Sequence, residues 1–121
     1  MISPLARTMQ FHRDLGRVVI KTEHNIKIHG HRITRDFLGI IDCIAIDPET
    51  GEVWATQATD GSHAATRVKK LLNHKIDLPD GGQILAILLM KRADWIVEVH
   101  GWAKRGGRGK RKLWSASIAK L

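Results

Sequence analysis

Asp42 stands inside an apolar run, Gly39-Ile40-Ile41-Asp42-Cys43-Ile44-Ala45-Ile46, and a second apolar run, Val53-Trp54-Ala55-Thr56-Gln57-Ala58-Thr59, carries Gln57 and Thr59. An ionised carboxylate in a buried strand costs several kcal/mol unless it is hydrogen-bonded, paired or bound to a metal. The connection Asp47-Pro48-Glu49-Thr50-Gly51-Glu52 has turn residues at close spacing, so the two runs read as an antiparallel hairpin. Period-two alternation puts Asp42 with Ile40 and Ile44 on one face, and Gln57 with Val53, Ala55 and Thr59 on one face of the partner strand. Where the two faces coincide, these three side chains and the Ala58 carbonyl give half a shell of oxygen donors for a hard cation, Mg2+ with Mn2+ as a substitute. The structural alternative is a buried acid satisfied by backbone donors or a nearby Arg, with Gln57 as a hydrogen-bonding group of the strand.

Such donors need a sheet and helices to hold them. Both runs are apolar on both faces, which predicts central strands. Ser3-Pro4 and Gly16 bound a helix over 4–15 with Leu5, Met9 and Leu15 inward. Residues 17–28 alternate as a strand containing Glu23, with a turn around His24-Asn25. The basic segment 29–36 reads as a loop carrying Arg32 and Arg35 toward a nucleic acid. In it, Asp36 is either a further metal ligand or a surface partner of those arginines, and His29 and His31 are donors to phosphate.

Asp60-Gly61-Ser62 signals a turn and cap before a helix over 63–75, with Ala64, Val68, Leu71 and Leu72 toward the sheet. His63, Arg67, Lys70 and His74 line another face. This face is either a solvated surface or, because the helix starts so soon after Thr59, the source of a cation (Arg67, Lys69 or Lys70) for a phosphate beside Asp42. Residues 83–90 read as a central strand, and 95–102 as another with Ile96, Glu98, His100 and Trp102 on one face. Helix, three strands, helix, two strands is an α/β order: a mixed central sheet flanked by helices.

The chain has 121 residues, a formal net charge of +8 and one cysteine, which fits a single domain over 1–121 without an intrachain disulfide and points to a polyanion as partner. Cys43 reads as inert core. Lys104, Arg105, Arg108, Lys110, Arg111 and Lys112 fall among glycines with no acid between them, which predicts a mobile basic loop at 103–112 that phosphates neutralise. Trp102 and Trp114 flank it, either stacking on unpaired bases or packing at the sheet edge. No phosphate-loop glycine motif, Cys-x-x-Cys or His-Glu-x-x-His is present, and Ser62-His63 shows no sign of a triad. No stretch approaches the ~18 apolar residues of a membrane span and no signal-peptide segment stands at the start, so the expected location is the cytoplasm with no membrane partner.

The order helix, strand, Asp-bearing strand, hairpin, strand with (Asp/Glu/Gln)-x-Lys, helix resembles the core of the PD-(D/E)xK nucleases, over roughly residues 1–100. Size and charge resemble the Holliday junction resolvases among them. The resemblance implies a restriction-endonuclease-like fold and Mg2+-dependent cleavage of branched DNA by a homodimer. In it Asp42 takes the place of the first acid, with Ile41 where the family often has Pro, and Gln57 takes the place of the second. Glu23 or Asp36 would add a carboxylate. Thr59 stands where the motif has Lys, so the cation comes from Arg67 or Lys70. Arg32, Arg35, His63 and the basic loop would hold the nucleic acid. The alternative is a non-catalytic DNA- or RNA-binding protein on the same fold.

Overall fold

The computed structural model describes the backbone of residues 2–22, 24–28, 30–35 and 37–121, and side chains outside 23–29 and 31–36. Glu23, His29 and Asp36, and the side chains of His31, Arg32 and Arg35, therefore lie outside the described residues. The chain forms a five-stranded mixed sheet with α-helices on both faces. Helix α1 (Pro4–Asp14) starts where Ser3 Oγ accepts the Ala6 N–H at 3.1 Å and Pro4 occupies the first turn. Strand β1 (Val18–Lys21) pairs antiparallel with β4 (Cys43–Ile46), and β4 with β5 (Val53–Asp60). Strand β5 pairs in parallel with β8 (Ile96–Arg105), which pairs antiparallel with β9 (Leu113–Lys120). The β4–β5 hairpin and its central place in the sheet are as the sequence predicts.

The parallel β5–β8 pairing requires a crossover, and α2 (Ala64–Asn73) and α3 (Ala86–Arg92) supply it. They share one face, where Leu71, Ala86 and Met90 pack with Ile40, Ile41, Ala55, Val97 and Val99. Helix α1 covers the other face.

Several expectations are corrected. Residues 17–28 are not one strand: β1 ends at Lys21, and β2 (His24–Ile28) pairs with β3 (His31–Arg35) as a separate two-stranded sheet, so the predicted loop over 29–36 is mostly strand. Residues 83–90 are not a central strand either. Only Gln83–Leu85 is extended, as β7 against β6 (Lys75–Asp77), and α3 follows. An unbroken aliphatic run suits either state, and Ala, Leu, Met and Lys favour the helix once Ala86 and Met90, four apart, both find the core. Helix α2 leaves Leu72 42% exposed. Strand β8 runs on to Arg105, so the basic connection covers 106–112, and β9 forms an edge strand that the sequence reading does not anticipate.

Helix α1 buries Thr8 and His12, not the predicted Leu5, Met9 and Leu15, and Leu15 is 55% exposed. The reason is the sheet beneath it, which presents Thr56, Glu98, His100 and Trp102. Arg17 Nη1 donates to His12 Nδ1 at 3.1 Å, so the ring is neutral and its Nε2–H donates to Thr56 Oγ1, also at 3.1 Å. Trp102 Nε1 donates to Thr8 Oγ1 at 2.8 Å, leaving the hydroxyl hydrogen for His100 Nδ1 at 3.1 Å, while His100 Nε2 donates to Glu98 Oε1 at 3.2 Å. Burial, then the electrostatic influence of neighbouring His100 and of the Arg17 cation, push His12 down to about 4. For Glu98, burial works upward, but the His100 hydrogen bond and the electropositive neighbours His100, His12 and Arg17 outweigh it and lower the carboxyl.

The His12 shift makes stability depend on pH. Between about pH 6.5 and about 4 the unfolded chain binds a proton that the folded chain refuses, so stability falls as pH falls through that window, by up to about 3 kcal/mol. Glu98 adds a loss of the same sign below the ordinary carboxylate range. His12→Gln keeps a donor for Thr56 and cannot titrate, so urea unfolding of this variant should have a markedly flatter pH dependence above about pH 4.5 than wild type.

Candidate functional site

Asp42 lies one residue before β4, not inside a strand, so simple alternation does not set its direction. Backbone bonds set it instead. The Asp42 N–H donates to Thr56 O at 3.1 Å, and Asp42 Oδ2 accepts the Ala58 N–H at 2.9 Å. The Thr22 N–H donates to Asp42 O at 3.0 Å, and Thr22 Oγ1 donates to Ile41 O. Its carboxylate is thus fixed at the edge of β5 beside residues 56–58, on either side of Gln57. The β4 ladder has ended there, and the carboxylate takes the donor that the next strand residue would have taken.

Gln57 points to the α2 face, level with Val99 on β8, and is 4% exposed. Its Oε1 is buried without a hydrogen-bond partner. A buried amide oxygen in that state is an acceptor without a donor, and it costs about 1–3 kcal/mol unless something electropositive reaches it. Thr59, 8% exposed, follows on the same face. Since Thr56 O and the Ala58 N–H both face the Asp42 edge, the Ala58 carbonyl does too. The Asp42 carboxylate and the Ala58 carbonyl at this edge, with Gln57 Oε1 on the α2 face beside it, are hard oxygens of the kind that could hold Mg2+, which commonly keeps several waters and takes few protein ligands. No group of three or more His, Cys, Asp or Glu residues gathers around a point among the described residues.

The loop leading to Asp42 is strained and tied down. Leu38 has φ +54, a conformation that costs a branched residue roughly 1–2 kcal/mol. The His74 Nε2–H donates to Leu38 O at 2.7 Å and holds it. His74 lies two turns after Arg67 on the same flank of α2, so Arg67, half-buried, is on the side of the helix turned toward this loop. Lys69 and Lys70 are exposed, and Lys70 is rotated further toward solvent. Of the helix cations, Arg67 is therefore the one placed toward the Asp42 side.

Other predicted residues lie elsewhere. His63 is exposed, and its Nδ1–H donates to Asp60, which also caps the 3₁₀ turn Gly61–His63; bonds from Ser62 and His63 hold the Asp60 carboxyl down at about 2. Arg105 is spent on the β8–β9 pair, donating through Nη1 to Ser115 O at 2.6 Å, whereas Lys104, Arg108, Lys110, Arg111 and Lys112 are exposed. Cys43 is buried as expected, and burial followed by the Asp42 charge pushes its thiol up to about 12. The polar set His12, Thr56, Glu98 and His100 was missed, although Glu98 and His100 in alternation on a strand were a legible sign of a polar face. Compared with known protein families, with curated proteins and with solved structures, the chain finds no match.

Gln57→Glu tests the orphaned oxygen. It places a second carboxylate at the Asp42 edge, where two like charges repel. The variant should melt below wild type in EDTA by about 4 °C for each kcal/mol lost, and Mg2+ should raise its melting temperature more than that of wild type. An equal response in both proteins would put Gln57 out of reach of a cation held at Asp42.

Proposed function

We propose that the chain is a metal-dependent, structure-selective DNA endonuclease of the PD-(D/E)xK type, similar to a Holliday junction resolvase, acting on branched DNA in the cytoplasm. The observation that carries the reading is the unpartnered, buried Gln57 Oε1 on the strand that Asp42 is bonded against. The element order supports it: α1, β1, β4 directly after Asp42, β5 and α2 follow the order of helix, strands, hairpin and helix expected of a restriction-endonuclease-like fold, with the β2–β3 hairpin inserted after β1.

On this reading Asp42, Gln57 and the Ala58 carbonyl hold Mg2+, and Mn2+ can replace it. The ion, when bound, supplies Lewis acidity at the phosphate and lowers the pKa of an attacking water. Asp42 keeps its carboxylate aimed by accepting the Ala58 N–H. Arg67 meets the charge that develops on the phosphate, in place of the cation absent at Thr59. Lys104 and the cations of 108–112 hold backbone phosphates without reading sequence. A four-way junction is two-fold symmetric, so paired cuts call for a homodimer.

A second reading, a nucleic-acid-binding protein that does not cleave, draws on Thr59, which brings no charge to the site, and on Ala58, whose N–H already gives Asp42 a structural partner. Cleavage of a four-way junction, a duplex and a single strand in Mg2+ or Mn2+ separates the two. Asp42→Asn retains an acceptor for Ala58 but loses the charge, so it should abolish cleavage and leave junction binding in EDTA within about twofold. If wild type binds every ligand and cuts none, the second reading holds.

Arg67 is tested by how its loss divides between binding and rate. Arg67→Ala should lower the single-turnover cleavage rate about a hundredfold while weakening junction binding far less, as for a contact realised in the transition state. Lys70→Ala should change both by small and similar factors.

A further inference from the structure

A cavity of about 520 Å³ opens beside α1 on the face of the sheet opposite Gln57, between the helix and the β8–β9 hairpin. Arg7, Gln10 and Arg13 of α1 line one side and Trp102 and Trp114 the other. We infer that this cavity binds one unpaired nucleotide of a single-stranded DNA segment, its base stacked on the Arg7–Trp114 platform. The inference deepens the reading above by naming the part of a branched substrate that this face takes.

Three observations carry it. Trp114 is 44% exposed although it is paired with Lys104 in the β8–β9 ladder, so a large part of the side chain remains open to solvent. The Arg7 guanidinium lies 4.0 Å from the Trp114 centroid, and its Nε is buried without a hydrogen-bond partner. A flat cation on a flat ring forms a platform that a nucleobase extends, because every base has a π face. The charges suit a phosphate: Arg7 and Arg13 line the cavity, Lys104 Nζ is 5.8 Å from the Trp114 centroid, and the basic connection 106–112 leaves from the same hairpin. Asp14, the lining acid, is engaged by Gln10 Nε2 at 2.7 Å. Trp102 is committed through Nε1 to Thr8, which makes it a fixed wall.

The test is binding of a fluorescent oligo(dT) strand of about ten nucleotides, read by anisotropy in EDTA, where metal-dependent cleavage cannot occur and failure of the nuclease reading has no effect. Trp114→Ala should weaken this binding about tenfold or more, and Trp114→Phe should restore most of it. Duplex affinity should stay within about twofold in both variants. An abasic strand of the same length should bind wild type about as weakly as oligo(dT) binds Trp114→Ala. The inference is overturned if the abasic strand binds as tightly as oligo(dT), if Trp114→Ala weakens duplex and single strand equally, or if free dTMP competes at the strand's own affinity, which would make this a mononucleotide pocket.

Discussion

Position 101 has no room for a side chain. A Cβ on Gly101 would fall 2.7 Å from Ala64 Cβ, 2.9 Å from Ser117 Oγ and 3.3 Å from Gly61 Cα. Three elements meet there: β8, the start of α2 with its preceding turn, and β9. Because Gly101 is paired with Thr59 across the parallel ladder, the close approach obliges α2 to begin directly over the end of β5. Val68 and Leu71 then reach the core formed with Val97 and Val99, and the Arg67–His74 flank comes to lie toward the loop that delivers Asp42. A larger residue at 101 would lift the first turn of α2 and move that flank with it. The chemistry proposed for Arg67 thus depends on a residue that has no functional group.

The opposite face holds the same strand from behind. Thr56 is the shared member: its carbonyl accepts the Asp42 N–H, and its hydroxyl accepts from His12. His12 is in turn oriented by Arg17, whose guanidinium lies 3.5 Å over the Trp54 ring. Each group in this chain is buried or half-buried, so losing one partner strands the next at a cost of about 1–3 kcal/mol. Such a network selects one position of β5 over its neighbours, which a purely apolar face would do less sharply. The network lies behind the Asp42 edge and shares a strand with it, so its role here is to position the strand.

The hairpin of Asp42 and Gln57 was legible because three local signals agreed: an apolar run, turn residues, and a second apolar run of matching length. Its finer geometry was not. Asp42 falls one residue short of β4, and the bond to the Ala58 N–H ties its carboxylate to β5, a long-range fact without a sequence signature. Helix α3 was read as a strand because Ile84 to Met90 lacks the polar positions that reveal a period. Strand β9 was missed since Leu113 to Lys120 alternates weakly and follows a run of cations. The buried face of α1 was misread for a different reason: hydrophobicity predicts which side faces an apolar sheet, and this sheet offered Thr56, Glu98 and His100, so Thr8 and His12 went inward. The basic charge survived as a feature, but its members divided, Arg105 serving the hairpin while Lys104 and residues 108–112 remain exposed.

The two proposed binding regions lie at one end of the sheet. Gln57 is level with Val99, and Trp102 is three residues further along β8, about 10 Å at the rise of a strand. Trp102 and Lys104, with Trp114 opposite Lys104, face the α1 side, whereas Gln57 faces α2. A duplex resting against the α2 face cannot also enter the cavity beside α1, because the sheet lies between them. A single strand departing from that duplex can cross the open ends of β5 and β8, with its phosphates passing the Lys104 region on the way. If both proposals hold, the two sites would together suit a substrate in which paired and unpaired DNA meet, and would do so through geometry, since neither the Asp42 edge nor a stacking platform distinguishes one base sequence from another.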